Sequence, residues 1–217
     1  MNLHFRGEYT MKFIKWKSII ITCIICLLPV LLGIALWDDL PDTMAIHFNI
    51  NNEPDNFASK SFVVFGIPVL MIALQIICCF TNDINSHKHD GQKKFEKATK
   101  WIIPIMTVVL QVITYGYSLG WNIDIRKSAA LIIGVVFLIL GIYLPKLDYV
   151  KNYNIDAEKA RKLNRLMGYE TIVMGFLSLV SMFLPPIATV IWLFLLIPYT
   201  LIGIIYGIRY TSNKCRS

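Results

Sequence analysis

Charge is scarce in this chain, and nearly absent from its apolar runs. Only 16% of its 217 residues are Asp, Glu, Lys or Arg, 56% are hydrophobic, and the mean hydropathy is +0.58. A soluble domain carries more charge, about 25%. Inside the apolar runs Glu170 is the only acid, near the start of its run. Ion-coupled transporters keep ionisable groups at membrane depth, where such groups are costly and so mark function. Their scarcity argues against a small-solute transporter. The sequence has no nucleophile elbow, phosphate-binding glycine loop, H-E-x-x-H or zinc-ribbon spacing, so neither an enzyme nor a bound cofactor is expected. Its polar segments are too short to bury a core of their own. No small-x-small cleavage site follows the first apolar run, and Trp37-Asp38-Asp39 is a poor exit for a peptidase. That run reads as a retained signal anchor. Met11 opens a more usual start, MKFIKWKS, which makes the first ten residues an extension of little consequence. Cys23 and Cys26 form a C-x-x-C within the first run, where they read as small apolar helix residues rather than a redox pair.

What the chain does have is six apolar runs: Ser18–Trp37, Phe62–Phe80, Trp101–Trp121, Ser128–Leu144, Gly168–Leu184 and Ile187–Ile208. A helical span needs roughly 17–25 predominantly apolar residues, and these runs are continuous rather than alternating, so they read as helices and not barrel strands. The expected fold is an all-α membrane protein, a six-transmembrane-helix bundle over residues 1–217, with the lipid bilayer as its first partner. The net charge of +7 encodes orientation rather than nucleic-acid binding. With both termini cytoplasmic, the inside segments hold four, five, six and three Lys or Arg, 18 of the 21, and only Lys60, Arg126 and Lys127 lie outside. That is the positive-inside distribution. It makes 38–61 an outer loop and 81–100 and 145–167 cytoplasmic loops. Pro185-Pro186 joins the last two runs as a tight helical hairpin. The segment 149–167 reads as a surface amphipathic helix, with Asp156 as its cap, or as an extension of the fifth span. Gly116-x-x-x-Gly120 and Gly203-x-x-x-Gly207 are expected at helix contacts, and the uncharged mid-run Gln75 and Gln111 are expected to hydrogen-bond between helices. Pro68, Pro104 and Pro198 should kink or start helices.

The outer loop, Leu40 to Lys60, has a residue order that composition does not demand. Across the whole outer segment 38–61, Asp38, Asp39, Asp42, Glu53 and Asp55 stand against Lys60, a net charge of −4, and His47 is its only histidine. Two chemistries compete. His47 with Asp42, Glu53 or Asp55 could hold a metal or do acid–base work, but no second His or Cys lies in any outer segment. The favoured reading is a shaped acidic lid that docks a cationic or amphipathic ligand, so no metal is expected. On the other side, His87, His89 and Asp90 form H-x-H-D beside Lys88, Lys93 and Lys94, which reads as a solvated basic loop.

The loop resembles the opening module of the SdpI family of bacterial membrane immunity proteins. The shared pattern stands here as Leu40-Pro41-Asp42, Ala45-Ile46-His47-Phe48-Asn49, Glu53-Pro54-Asp55 and Ser59-Lys60, with Phe65, Pro68 and Met71 following. Gly141-Ile142-Tyr143-Leu144-Pro145-Lys146, the Asn-Tyr-Asn-Ile at 152–155 and Asn164-Arg165-Leu166-Met167-Gly168 also have family counterparts. The resemblance is dense over 37–72 and patchy over 141–175. One departure stands out: where many members continue with a Pro-Trp-Thr element, this chain has Asp156-Ala157-Glu158-Lys159-Ala160-Arg161, which looks helical. The resemblance implies a plasma-membrane protein that protects the producing cell against a secreted antimicrobial peptide. The peptide would bind at Asp42, His47, Asn49, Glu53, Asp55 and Lys60. Some members also sequester a transcriptional repressor, which implies a cytoplasmic partner at Lys159, Arg161, Lys162 and Arg165. The departure falls on that signalling face, not on the protective one.

Overall fold

Six α-helices and one β-hairpin make up the described residues of the computed structural model, 14–84, 90–147 and 157–212. In chain order they are α1 (Trp16–Ala35), β1 (Thr43–Phe48), β2 (Pro54–Ser59), α2 (Ile67–Ile84), α3 (Asp90–Ser118), α4 (Ile125–Tyr143), α5 (Ala157–Ser181) and α6 (Pro186–Ser212). A π-helical turn, Phe62–Gly66, leads into α2. Among the described residues five of these helices are long and apolar enough to cross a membrane: α1, α2 with its π turn, α3, α4 and α6. The chain is a multi-pass membrane protein by this measure, with helices because lipid offers the backbone no other hydrogen-bond partner.

Five is one fewer than the six runs suggest, and α5 is the difference. Its first turns carry Glu158, Lys159, Arg161, Lys162 and Arg165, and Glu170 interrupts the apolar remainder. Over its described part, from residue 157 onward, the segment 149–167 is one continuous helix that runs into the fifth apolar stretch, the second of the two readings. Asp156, the Asn-Tyr-Asn-Ile at 152–155, His87 and His89 lie outside the described residues, as does the side chain of Lys159. The tight turn at the proline pair is present: α5 stops at Ser181 and α6 starts on Pro186, at a position where no N–H is required. Thr189 Oγ1 donates to Ser181 O at 2.6 Å across that turn.

The chain divides into two compact units. The first contains α1, both strands, α2 and α3 from Glu96 onward. Its core is Leu40, Met44, Val63, Val64 and Tyr115, with Val30, Leu36, Trp37, Ala58, Ile67 and Leu119 packed against it. This unit is polar inside. Thr22, Gln75, Asp83, Glu96, Lys100, Thr107 and Gln111 are all buried, while the apolar side chains that belong in lipid face outward. The expected interhelix bonds of the two glutamines are there. Gln75 Nε2 donates to Lys100 O at 2.9 Å, and Gln111 Nε2 to Val63 O at 2.8 Å.

The second unit contains the hairpin tip Ile50–Asn52 and α4–α6. Its α4 and α5 meet backbone to backbone. A Cβ on Gly141 would stand 2.8 Å from Gly168 O, and one on Gly175 would stand 2.9 Å from Gly134 O. Gly134/Gly141 and Gly168/Gly175 are each seven residues apart, two turns of helix, so each pair lies on one face. Among the described residues these four, and not Gly116, Gly120 or Gly203 of the G-x-x-x-G motifs, bring two helix backbones together. Gly116 sits against the Trp121 ring at the end of α3, Gly120 turns the chain with φ +83°, and nothing lies within 4 Å of a Cβ on Gly203 among the described residues.

Candidate functional site

The loop expected to act as a lid is a β-hairpin. Thr43, Ile46, Phe48 and Phe57 are the β-branched and aromatic residues that suit strands, and Asn-Ile-Asn-Asn between them supplies a turn. β1 and β2 pair antiparallel, Thr43 opposite Ser59 and Phe48 opposite Pro54, with the register shifting on both sides of His47. Such irregularities re-aim a side chain. Asn52 at the turn has φ 65°, a left-handed conformation that Asn tolerates. Met44 points into the core, so the hairpin is seated on the first unit by its own side chain.

The six residues expected to bind a ligand fall into three groups. His47 and Asp55 form an exposed pair: Nδ1 donates to the carboxylate at 2.5 Å, with the side chains 65% and 43% accessible. Asn49 and Glu53 close the turn on each other. Asn49 N–H donates to Glu53 O at 2.8 Å, Asn49 Nδ2 to Glu53 Oε2 at 3.0 Å, and Glu53 N–H to Asn49 Oδ1 at 3.0 Å. Lys60 is only 12% accessible and belongs to the base of the hairpin. Its Nζ donates to Trp37 O at 2.9 Å, sits 5.1 Å from the centre of the Trp37 ring and pairs with Asp42 at 3.4 Å. The Asp42 side chain itself is fully exposed. Asp42, His47 and Asp55 are therefore presented to solvent, whereas Asn49, Glu53 and Lys60 hold the shape. Exposed Ile46, Ile50 and Phe57 add an apolar component. Among the described residues no three His, Cys, Asp or Glu side chains gather in a metal-holding group.

The tip also caps a helix. The first N–H groups of α4 have no helical partner. Ile125 N–H donates to Asn52 Oδ1 at 2.8 Å, and Arg126 N–H and Lys127 N–H donate to the Asp124 carboxylate at 3.1 and 3.3 Å. Arg126 also donates from Nη1 to Ile50 O at 3.1 Å and from Nε to Asp124 at 3.2 Å. Partial burial alone would push the Asp124 pKa up. The Arg126 guanidinium and the two backbone N–H groups outweigh it and hold the carboxyl below its ordinary value. A depressed folded-state pKa stabilises above the unfolded value, about 4, and that stabilisation is lost as pH falls through the folded one. Thermal unfolding from pH 6 down to pH 3 should therefore show wild type more stable than Asp124→Asn near neutrality, with the gap closing on acidification. A gap independent of pH would assign the difference to something other than this carboxylate.

One cluster was not anticipated from the sequence. Asp83 at the end of α2 is buried, and Lys100 Nζ donates to its Oδ1 at 2.5 Å. Lys15 N–H, at the start of α1, donates to Asp83 Oδ2 at 3.1 Å, and Lys15 Nζ donates to buried Glu96 at 3.2 Å. Asp83 and Lys100 stand at the margins of apolar runs, where either could pass for a residue in water. The available signal is spacing: Gln75, Cys79 and Asp83 recur every four residues, one polar face on an otherwise apolar helix.

A domain of unknown function, DUF1648, matches residues 24–72 and so contains the entire hairpin. The immunity protein SdpI of Bacillus subtilis (strain 168) is 30% identical over 125 residues. The matched region covers 58% of this chain and 58% of that protein, less than two thirds of either. No solved structure matches the chain. The resemblance carried by the loop residues thus holds at the level of distant homology.

Proposed function

We propose that this chain, a distant homologue of the SdpI immunity protein, is a multi-pass immunity protein of the bacterial plasma membrane that protects its cell by binding a secreted antimicrobial peptide at the outer hairpin. The observation that carries this reading is the sorting of charge on the hairpin. Asp42 and Asp55 are presented to solvent while the basic residue, Lys60, is folded into the base. The presented face is acidic and flanked by Ile46, Ile50 and Phe57, which complements a peptide that is both cationic and apolar. Acidic charge speeds encounter and the apolar side chains lengthen residence.

The test is survival of a sensitive strain expressing the chain against peptides secreted from neighbouring genes. The triple variant Asp42→Asn, His47→Ala, Asp55→Asn should lower the tolerated peptide concentration by about tenfold, the loss expected from roughly 1.4 kcal/mol of binding. Its amount in the membrane should be little changed, because the pairs these three side chains make, Asp42 with Lys60 and His47 with Asp55, are at the solvent face, where such pairs contribute little stability. Lys60→Ala or Asn49→Ala should instead reduce the folded protein. Full protection by the triple variant would rule out the hairpin as the binding site.

A second reading has one observation in its favour. Arg161, Lys162 and Arg165 are exposed on α5, where they suit an acidic cytoplasmic partner such as a repressor. Lys162 is paired with Glu158 at 2.8 Å, so the surface is partly neutralised. Crosslinking from these positions with and without the peptide separates the two readings.

A further inference from the structure

We propose that Gln75 and Gln111 form a reciprocal lock, each supplying to the other's helix the N–H donor that a proline has removed. Pro104 lies inside α3 and has no N–H. The carbonyl four residues before it, Lys100 O, therefore has no helical donor, and it is this carbonyl that takes Gln75 Nε2 at 2.9 Å. The other half uses the π turn. Ile67 N–H bonds to Phe62 O, five residues back. In that register Val63 O would take the N–H of residue 68, which is Pro68 and has none. Val63 O takes Gln111 Nε2 instead, at 2.8 Å. The glutamine of α2 thus repairs α3, and the glutamine of α3 repairs the entry to α2.

The sequence carries the matching pattern. Pro68-Val-Leu-Met-Ile-Ala-Leu-Gln75 and Pro104-Ile-Met-Thr-Val-Val-Leu-Gln111 both run from proline to Leu-Gln with the same spacing of seven. Seven residues are close to two turns of helix, so the deficient carbonyl's side and the glutamine lie on one face of each helix. Two such helices running in opposite directions place the glutamine of each beside the proline of the other. Both amides are buried, and a buried carbonyl has no ready water to stand in for the missing donor. Gln111 Nε2 additionally reaches Tyr115 Oη at 3.2 Å, and Tyr115 O–H donates to Pro29 O at 3.2 Å, which ties α1 to the same lock. Gln75 Nε2 also approaches Cys79 Sγ at 3.2 Å, while its Oε1 is buried with no partner among the described residues. Only the donor half of that amide is used.

The lock predicts which substitutions compensate for which. In the full chain, purified in detergent, Gln75→Met and Gln111→Met keep side-chain length and remove the donor. Each should lower Tm by about 4 °C, the shift expected for loss of one buried hydrogen bond in a chain of this size. Adding Pro104→Ala to Gln75→Met restores an N–H to Lys100 O, and adding Pro68→Ala to Gln111→Met restores one to Val63 O. These cognate pairs should recover most of the loss. The crossed pairs, Gln75→Met with Pro68→Ala and Gln111→Met with Pro104→Ala, should recover none of it. If a single variant fails to accumulate in the membrane, accumulation of its cognate double, and not of the crossed double, is the same result read another way. Equal recovery in cognate and crossed pairs, or no loss in either glutamine variant, overturns the proposal.

Discussion

Replacing Asp83 with Ala should destabilise the first unit by about 3–5 kcal/mol, the range for removing one partner of a buried ion pair. The carboxylate is fully buried and serves three helices at once. It belongs to α2, it accepts from Lys100 Nζ of α3, and it accepts from Lys15 N–H at the start of α1. α1 has no side-chain cap from its own N-cap residue, so Asp83 fills that role from another helix. Without it, the ammonium of Lys100, only 4% accessible, is left buried without its counter-charge. The loss should be read as earlier chemical unfolding in detergent and as faster proteolysis. The double variant Asp83→Leu, Lys100→Leu distinguishes the cause. Removing both charges together should recover much of the loss, because a buried ion pair contributes little net stability over an apolar pair. A double variant as unstable as Asp83→Ala would mean that the caps and packing around Asp83, rather than the stranded lysine, set the effect.

Gly141→Val should be nearly as damaging to the second unit, about 3 kcal/mol, the upper part of the range for overfilled cores. A Cβ at this position stands 2.8 Å from both Gly168 O and Ile172 N. Those are backbone atoms of α5 and cannot rotate away, so the helices must separate. Separation would also open the facing contact between Gly134 and Gly175, since both lie along the same seam. Gly203→Val is the control. Nothing lies within 4 Å of a Cβ there among the described residues, so a change of less than about 1 kcal/mol is expected, within the ordinary range for exposed substitutions. Unfolding of both variants by denaturant, followed by circular dichroism, gives the comparison directly. Equal stability of the two variants would show that α4 and α5 are not held by this seam.

The glycines show where the sequence is legible and where it is not. G-x-x-x-G is recognisable as spacing, yet Gly116 and Gly120 lie at the end of a helix, and a Cβ on Gly203 meets nothing among the described residues. The contacts that matter have a spacing of seven and lie on different helices, so their meaning depends on which helices become neighbours. The hairpin is a similar case. Its identity as a distinctive polar loop and its residues were readable, and so was the distant kinship they carry. That Asn49, Glu53 and Lys60 build the site while Asp42, His47 and Asp55 are presented was not readable. Linear order says nothing about which side of a strand faces the core once the register shifts around His47.

By itself, the sequence determined that this is a helical membrane protein, where its apolar stretches lie, and that Gln75 and Gln111 must find partners between helices. The reason is energetic: apolar runs of that length have no stable alternative to helices in lipid, and a buried amide has no water to bond. Only the tertiary structure decided that the loop is a hairpin, that Asp83 joins three helices and that each glutamine answers the other helix's proline. These features arise from groups far apart in the chain, Lys15 with Glu96 and Val63 with Gln111. Their pairing is set by packing geometry, which residue order constrains but does not state.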